Sequence, residues 1–97
     1  MNLRWDARAL QDLRDIRNYI ARHSSPAAAD RVRDHVRTRV YRLLTTPFIG
    51  VATTNPNIRI LPTARYPYRM YYTVQRNDVV ILHVRHTARL APDDLEL

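Results

Sequence analysis

The chain has 97 residues, with 16 arginines, no lysine, no cysteine and one glycine. This composition excludes disulfide scaffolds, cysteine-ligated zinc, thiol catalysis and glycine-rich phosphate loops, and the length allows one domain over residues 1–97. No apolar run reaches the roughly 18 residues that a membrane span needs, and the amino terminus lacks a signal-peptide pattern. We therefore expect a soluble, cytoplasmic protein with no membrane partner, no metal and no cofactor.

The formal charge of +7 is concentrated in the middle of the chain. Residues 35–77 contain seven arginines and no carboxylate, whereas residues 1–34 have a net charge of +2 and residues 78–97 a net charge of −2. A long segment without carboxylates predicts a positive surface, whose natural partners are nucleic acid or an acidic protein. The alternative is a solvated basic face without a partner.

The first half of the chain predicts a short strand and two helices. The strand covers residues 2–5, and Asp6 is a typical residue at the start of a helix. From residue 7 to residue 22, apolar residues recur every three or four positions, as on one face of a helix: Leu10, Leu13, Ile16 and Ile20. Ser24-Ser25-Pro26 separates this helix from a second one, whose apolar residues are Ala29, Val32, Val36, Val40 and Leu43. The short turn predicts an antiparallel helical hairpin.

The second half of the chain predicts three strands, over residues 57–61, 68–74 and 79–86, after a polar loop or irregular edge at residues 52–57. We expect a three-residue turn, Arg76-Asn77-Asp78, because only that pairing gives one apolar face. This face comprises Tyr68, Met70, Tyr72, Val74, Val80, Leu82 and Val84, with His86 at its end, and it packs under the helices. The opposite face carries Arg69, Tyr71, Thr73, Ile81, His83 and Arg85. Nothing in the chain is left to cover it, which makes it the best candidate site.

The order of these elements predicts an α+β fold: a short N-terminal strand, an antiparallel two-helix hairpin, and an antiparallel three-stranded segment that completes a small sheet. Four motifs occur in this order: Ala7 with Asp12-Leu13, Ile16 and Tyr19-Ile20; Pro47 to Gly50; Tyr66-Pro67-Tyr68-Arg69-Met70-Tyr71-Tyr72; and Val84-Arg85-His86-Thr87-Ala88-Arg89. The ordered set, over roughly residues 2–89, resembles the RelE/ParE superfamily of bacterial toxins from type II toxin–antitoxin systems. The long helices and the C-terminal motif from His86 to Arg89 resemble those of the ParE branch of this superfamily.

The resemblance implies a growth-inhibiting, plasmid-stabilising toxin that a small, acidic, partly disordered antitoxin neutralises. The ParE branch implies inhibition of DNA gyrase. The RelE branch implies the alternative, a ribosome-dependent endonuclease that cuts mRNA. A third hypothesis, from charge alone, is a non-toxic nucleic-acid-binding module.

Ribonuclease chemistry needs a base for the 2′-hydroxyl, positive charge for the phosphate and an acid for the leaving oxygen. Arginines supply the charge, and Arg69 matches the arginine of the RelE-type strand. Proton-handling groups are scarce, because the chain has no lysine, and His83 and His86 are three positions apart and so lie on opposite faces of a strand. This scarcity favours a non-catalytic inhibitor.

The site predictions fall into three groups. If the chain is a ribonuclease, the catalytic candidates are Arg69, His83, Arg85 and His86. The predicted target-binding residues are Arg59, Arg65, Arg69, Tyr71, His83, Arg85 and Arg89. The predicted antitoxin-binding residues are Leu10, Leu13, Arg33, Arg37 and Val40.

Overall fold

The computed structural model describes residues 1–88. Its elements in chain order are β1 (Asn2–Trp5), α1 (Ala7–His23), α2 (Pro26–Tyr41), a 3₁₀ turn (Arg42–Leu44), β2 (Val51–Ala52), β3 (Arg59–Pro62), β4 (Tyr68–Gln75) and β5 (Asp78–His86). The predicted α+β order and the helical hairpin are confirmed. Among the described residues, neither helix has the length and apolar character that crossing a membrane requires.

The turn between the helices follows the predicted boundary. The Ser25 hydroxyl accepts a hydrogen bond from the backbone N–H of Ala28 at 3.0 Å, and Pro26 occupies the first helical position, where its missing N–H costs nothing. Across the hairpin, an Arg17 guanidinium nitrogen lies 2.9 Å from an Asp30 carboxylate oxygen. The capped turn and this ion pair fix the antiparallel packing of α1 and α2.

The five strands form one sheet in the order β1-β5-β4-β3-β2. β1 pairs in parallel with β5, and all other neighbours are antiparallel. The helical hairpin packs on one face of this sheet, here called the helix face, and the other is called the distal face. The main core lies between the hairpin and the helix face and contains Ala9, Leu13, Val32, Val36, Val40, Leu43, Leu61, Met70, Tyr72, Val79, Ile81 and Val84.

The turn between β4 and β5 is one residue shorter than predicted, so the predicted pairing of the two strands near the turn is wrong. Gln75 pairs with Asp78, so the loop consists of two residues, Arg76 and Asn77, and not three. Arg76 has a φ of 55°, the left-handed backbone conformation that two-residue hairpin loops use. The shorter loop shifts every pair near the turn by one residue, so that Val79 lies in the core.

A β-bulge then reverses the alternation of faces along β5. The irregularity lies between Tyr71 and Tyr72 of β4, where Leu82 is the extra residue of β5. Ile81, predicted on the open face, is therefore fully buried in the main core, whereas Val80 and Leu82, predicted under the helices, pack on the distal face. The sequence pattern could not decide between the two pairings, because the run from Val79 to Leu82 is apolar at every position.

Beyond the bulge the predicted faces are confirmed. Met70 pairs with Val84 and both are in the main core, while Tyr68 pairs with His86 at its rim. Arg69 is therefore on the distal face, as predicted.

The distal face is covered in part, contrary to the expectation that nothing was left to cover it. The Thr53 hydroxyl contacts the carbonyl oxygens of Asn55 and Ile58 at 2.9 Å each, and the Asn55 side chain accepts from the backbone N–H of Asn57. These bonds fold the segment before β3 into a compact turn. The turn places Ile58, which is 1% exposed, in a second apolar cluster with Tyr71, Val80 and Leu82.

The segment that leads into β2 is fixed by Tyr72. The Tyr72 hydroxyl donates to the Pro47 carbonyl and accepts from the Gly50 N–H, both at 2.9 Å. Burial raises the pKa of the Tyr72 hydroxyl, which keeps it protonated as a donor. A Cβ at Gly50 would lie 2.5 Å from this hydroxyl oxygen, so the close approach requires glycine.

Candidate functional site

Two arginines face each other across the distal side of the sheet. Arg69 of β4 and Arg85 of β5 are direct cross-strand partners. Like charges in this position repel each other, and neither forms an ion pair with a carboxylate of residues 1–88. An Arg69 Nη donates to the Thr87 carbonyl at 2.8 Å, and the Nε of each arginine is buried without a hydrogen-bond partner in the described chain.

This arginine pair is therefore suited to binding an anion. A guanidinium presents several donors in a plane and matches the oxygens of a phosphate or carboxylate. An anion between Arg69 and Arg85 would relieve their repulsion. The structure thus brings together two of the predicted target-binding residues.

Tyr71 and His83 were expected to be exposed beside this pair, and that expectation is wrong. Tyr71 is 1% exposed and His83 5% exposed. Their rings contact each other edge to face, with centroids 6.3 Å apart, and Ile58 helps to cover Tyr71. Since a buried ring cannot reach a solvent-borne target, neither residue is available as a proton carrier on the present surface.

His86 lies on the helix face, whereas His83 lies on the distal face, so the prediction that they do not converge is confirmed. The His86 Nδ1 accepts from the backbone N–H of Ala88 at 3.0 Å, and its ring packs edge to face on Tyr68, with centroids 5.5 Å apart. Burial raises the pKa of the Tyr68 hydroxyl, with a smaller contribution from Tyr19, which makes Tyr68 a poor base. No acid–base pair forms from the two histidines.

The other predicted target-binding arginines have different roles. Arg59 donates to the carbonyl oxygens of Phe48 at 3.2 Å and Gly50 at 2.8 Å and lies over the Phe48 ring, so it holds the segment before β2. Arg65 is exposed in the loop between β3 and β4. Arg89 lies outside the described residues.

The predicted antitoxin-binding residues divide by exposure. Leu13 and Val40 are buried in the main core, because they lie on the inner faces of the two helices, and have no surface for a partner. Leu10 is 40% exposed and Arg37 is exposed, while Arg33 forms ion pairs on its own helix with Asp30 and Asp34. The face of a hairpin that packs on the sheet is not the face that a partner meets.

Sequence reasoning named Asp12 as part of the first motif but missed its role in the fold. One Asp12 carboxylate oxygen accepts from the backbone N–H of Val84 at 3.0 Å, where β5 extends past the end of β1, and its side chain is only 16% exposed. The same oxygen lies 3.9 Å from the His83 Nδ1. Its position in the sequence could have indicated this role, because Asp12 lies three residues after Ala9 and four before Ile16 and therefore on the inward face of α1.

A groove of about 420 Å³ opens beside this contact, between α1 and the ends of β4 and β5. Its lining is Asp12, Asp15, Ile16, Tyr19, Tyr68, Val84, Arg85 and His86. Arg85 thus borders both the groove and the distal face. The groove combines aromatic surface with charges of both signs.

The electrostatic surroundings of α2 are positive, as the sequence predicted. Desolvation lowers the pKa of His35, and the nearby charges of Arg65 and Arg39 lower it further. Arg31, Arg37 and Arg42 are exposed along the same helix and its 3₁₀ extension, without ion pairs in the described chain. This side of the molecule favours an anionic partner.

The chain shares its fold with solved structures of other proteins. The chain superposes on a chromosomal ParDE toxin–antitoxin system from P. aeruginosa with a TM-score of 0.80 and 23% identity, covering 89% of this chain and 95% of that one. The isolated E. coli RelE toxin superposes with a TM-score of 0.68 and 22% identity, covering 92% of this chain and 86% of that one. These similarities establish the fold.

The sequence establishes the family. Residues 3–91 match the family model described as the ParE toxin of the type II toxin–antitoxin system parDE. Toxin RelE2 of Caulobacter vibrioides is 36% identical over 88 residues, which cover 89% of this chain and 94% of that protein. The chain belongs to the ParE toxin family, within the RelE/ParE superfamily, and is a toxin of a type II toxin–antitoxin system.

Proposed function

We propose that this toxin inhibits DNA gyrase by binding and without cleaving a substrate, and that a cognate antitoxin neutralises it. The observation that carries the proposal is an arginine pair that forms no ion pair within residues 1–88 and, among those residues, has no exposed acid or base beside it on the distal face. Arg69 and Arg85 supply positive charge on the distal face. Asp12, Asp15 and His86 lie on the other side of Arg85, where they line the groove beside α1.

The groups that could act as acid or base beside the arginine pair are absent from the sequence, buried, or on the other face of the sheet. The chain has no lysine, and residues 35–77 contain no carboxylate. His83 and Tyr71 are buried, and His86 lies on the helix face. General acid–base catalysis requires a group within hydrogen-bond reach of the proton that it moves. An anion-binding surface without such a group favours an inhibitor over a nuclease.

The second candidate is a ribosome-dependent mRNA endonuclease. The arginine pair favours it, since two guanidiniums can bind a scissile phosphate, and the curated relative carries the name RelE2. In this case the ribosome or the RNA would have to supply the missing proton transfer.

The antitoxin partner is supported by the positive surface around α2 and by a structural neighbour. The intact E. coli RelBE toxin–antitoxin complex contains a chain that superposes with a TM-score of 0.68 and 22% identity, covering 91% of this chain and 98% of that one. We expect the antitoxin to be small, acidic and partly disordered when free, so that it complements the exposed arginines along α2.

The two target hypotheses are separated by inducing the toxin in cells. We expect plasmid DNA from arrested cells to lose negative supercoiling while transcripts stay intact by primer extension. Cuts within codons, with plasmid topology unchanged, would contradict gyrase inhibition and support the endonuclease.

A further inference from the structure

A cluster of basic side chains lies between α2 and the loop of residues 63–67, which connects β3 to β4. His35 and Arg39 are four residues apart on α2, so they are neighbours on one side of the helix. Arg65 precedes Tyr66 in the loop, and the Tyr66 ring contacts the His35 ring edge to face, with centroids 5.3 Å apart. His35, Arg39 and Arg65 are here called the α2 loop site.

Hydrogen bonds close the loop and hold it against α2. The hydroxyl of the buried Thr63 contacts the carbonyl oxygens of Tyr66 and Tyr68, and the Thr63 N–H donates to the Tyr68 carbonyl at 3.0 Å. An Arg39 Nη donates to the Pro62 carbonyl at 3.1 Å, which joins the start of the loop to the helix. A ligand that binds here therefore meets a largely ordered site, which lowers the entropic cost of binding.

The α2 loop site has no carboxylate to neutralise it within the described chain. Neither Arg39 nor Arg65 forms an ion pair there, and residues 35–77, which contain the whole site, include no Asp or Glu. On α2 the Asp30 carboxylate pairs instead with Arg17 of α1, across the hairpin. Arg65 is exposed, so an anion from solvent can reach it.

The titration of His35 reflects this positive charge. Desolvation lowers the pKa of the His35 ring, and the charges of Arg65 and Arg39 lower it further. The charged and titratable residues around the ring are Arg31 and Arg39, one turn away on α2, and Arg65 and Tyr66 of the loop. A bound anion would offset the repulsion among these cations, so anion binding and protonation of His35 favour each other.

The arrangement of the two arginines indicates which anion fits the site. Arg39 belongs to α2 and Arg65 to the loop, so their guanidiniums can bind different oxygens of one ligand. A phosphate presents a tetrahedral set of oxygens and carries up to two negative charges, whereas a carboxylate presents its oxygens in one plane and carries a single charge. Donors on two separate elements therefore match a phosphate better than a carboxylate.

We propose that the α2 loop site binds a phosphate group, with Arg39 and Arg65 as the hydrogen-bond donors. The phosphate group is common to inorganic phosphate and to the backbone of nucleic acid, and the test below separates these sources. Because α2 lies on the helix face, the site is separate from Arg69 and Arg85 on the distal face. The inference rests neither on gyrase as the target nor on the antitoxin.

Nuclear magnetic resonance of the histidine rings tests the site in the purified toxin. The His35→Gln variant assigns the His35 signal, which is followed during titration with sodium phosphate, with a short duplex DNA and with sodium acetate, all at constant ionic strength. Arg65→Gln removes one guanidinium at an exposed position of the loop, and Arg39→Gln removes the other. Arg14→Gln is the matched control, because Arg14 is exposed on α1 and pairs with no carboxylate of residues 1–88. Circular dichroism confirms that each variant is folded.

We expect phosphate to shift the His35 signal saturably and to raise the pKa of His35. Binding should be at least about fivefold weaker in Arg65→Gln and in Arg39→Gln and should change less than about twofold in the control. Saturation by duplex DNA at a lower concentration of phosphate groups would identify the nucleic-acid backbone as the source. Saturation by inorganic phosphate alone would identify a small phosphate, and either result supports the site.

Three results would overturn the inference. The first is an affinity for acetate equal to that for phosphate, the second is wild-type affinity in both folded arginine variants, and the third is a His35 signal that neither phosphate nor DNA shifts. A wild-type toxin that fails to inhibit gyrase would refute the proposed target and leave this binding result unchanged, because the titrated samples contain no gyrase.

Discussion

Replacing Gly50 by alanine perturbs the segment that connects the helices to β2. The new Cβ would lie 2.5 Å from the Tyr72 hydroxyl oxygen, 2.6 Å from its Cε1 and 2.8 Å from the Ile60 carbonyl oxygen. The Tyr72 side chain cannot move aside easily, because it is fully buried and its hydroxyl bonds both Pro47 and Gly50. The Ile60 carbonyl belongs to a paired strand and is equally constrained.

The magnitude follows from two contributions to the free energy of unfolding. Overpacking a filled core costs about 1–3 kcal/mol. Displacing Tyr72 weakens two hydrogen bonds, each worth about 1 kcal/mol. We therefore expect Gly50→Ala to cost about 3–5 kcal/mol, a large part of the roughly 5–15 kcal/mol that stabilises a domain of this kind.

Urea unfolding followed by circular dichroism measures this cost. Tyr72→Phe removes the hydroxyl and one of the close contacts, so Gly50→Ala should cost about 1–2 kcal/mol less in that background than in the wild type. A cost below about 1 kcal/mol for Gly50→Ala, or strict additivity of the two changes, would refute the argument from close approach.

Three further predictions concern stability and follow from single contacts. Asp12→Ala should lower the free energy of unfolding in urea by about 1–3 kcal/mol, because the Val84 N–H loses its acceptor. The control Asp15→Ala, at an exposed position, should lower it by less than about 0.5 kcal/mol. Equal losses in the two variants would contradict a specific role for Asp12. Leu43→Ala should cost about 2–5 kcal/mol, since Leu43 is fully buried, and a smaller cost would place it outside the core. The pKa of His35 is lowered from 6.5 in the folded protein, so the unfolded chain binds more protons and stability falls as the pH decreases through 6.5 towards the folded pKa. The urea midpoint should therefore drop between pH 7.5 and pH 5.5 and drop less in His35→Gln, and equal drops would exclude His35 as the cause.

The helices and the order of elements along the chain, apart from β2, could be predicted because each has a clear periodicity or boundary. Ser25 and Pro26 mark the start of α2, and the stripe from Val32 to Val40 fixes its buried face. Arg69 could be placed on the distal face because side chains alternate between the two faces of a strand, and Tyr68, Met70 and Tyr72 belong to the apolar set under the helices.

The pairing near the β-turn could not be predicted, for a physical reason. The segment Val79–Leu82 is apolar at every position and is buried on both faces, so hydrophobic alternation carries no information there. The bulge at Leu82 depends on the paired strand and the turn, not on local composition. Burial of Tyr71 depends likewise on Ile58, which a polar loop brings across the sheet.

We propose that Arg69 and Arg85 bind an anionic surface of gyrase without catalysis, and a supercoiling assay with purified gyrase can measure this inhibition. Wild-type toxin should inhibit ATP-dependent supercoiling, and the variant Arg69→Ala/Arg85→Ala should require at least tenfold more toxin for the same inhibition. The control Arg31→Ala, at an exposed position of α2, should inhibit as the wild type does. Unaffected supercoiling at saturating wild-type toxin would contradict the account, as would full inhibition by the folded double variant.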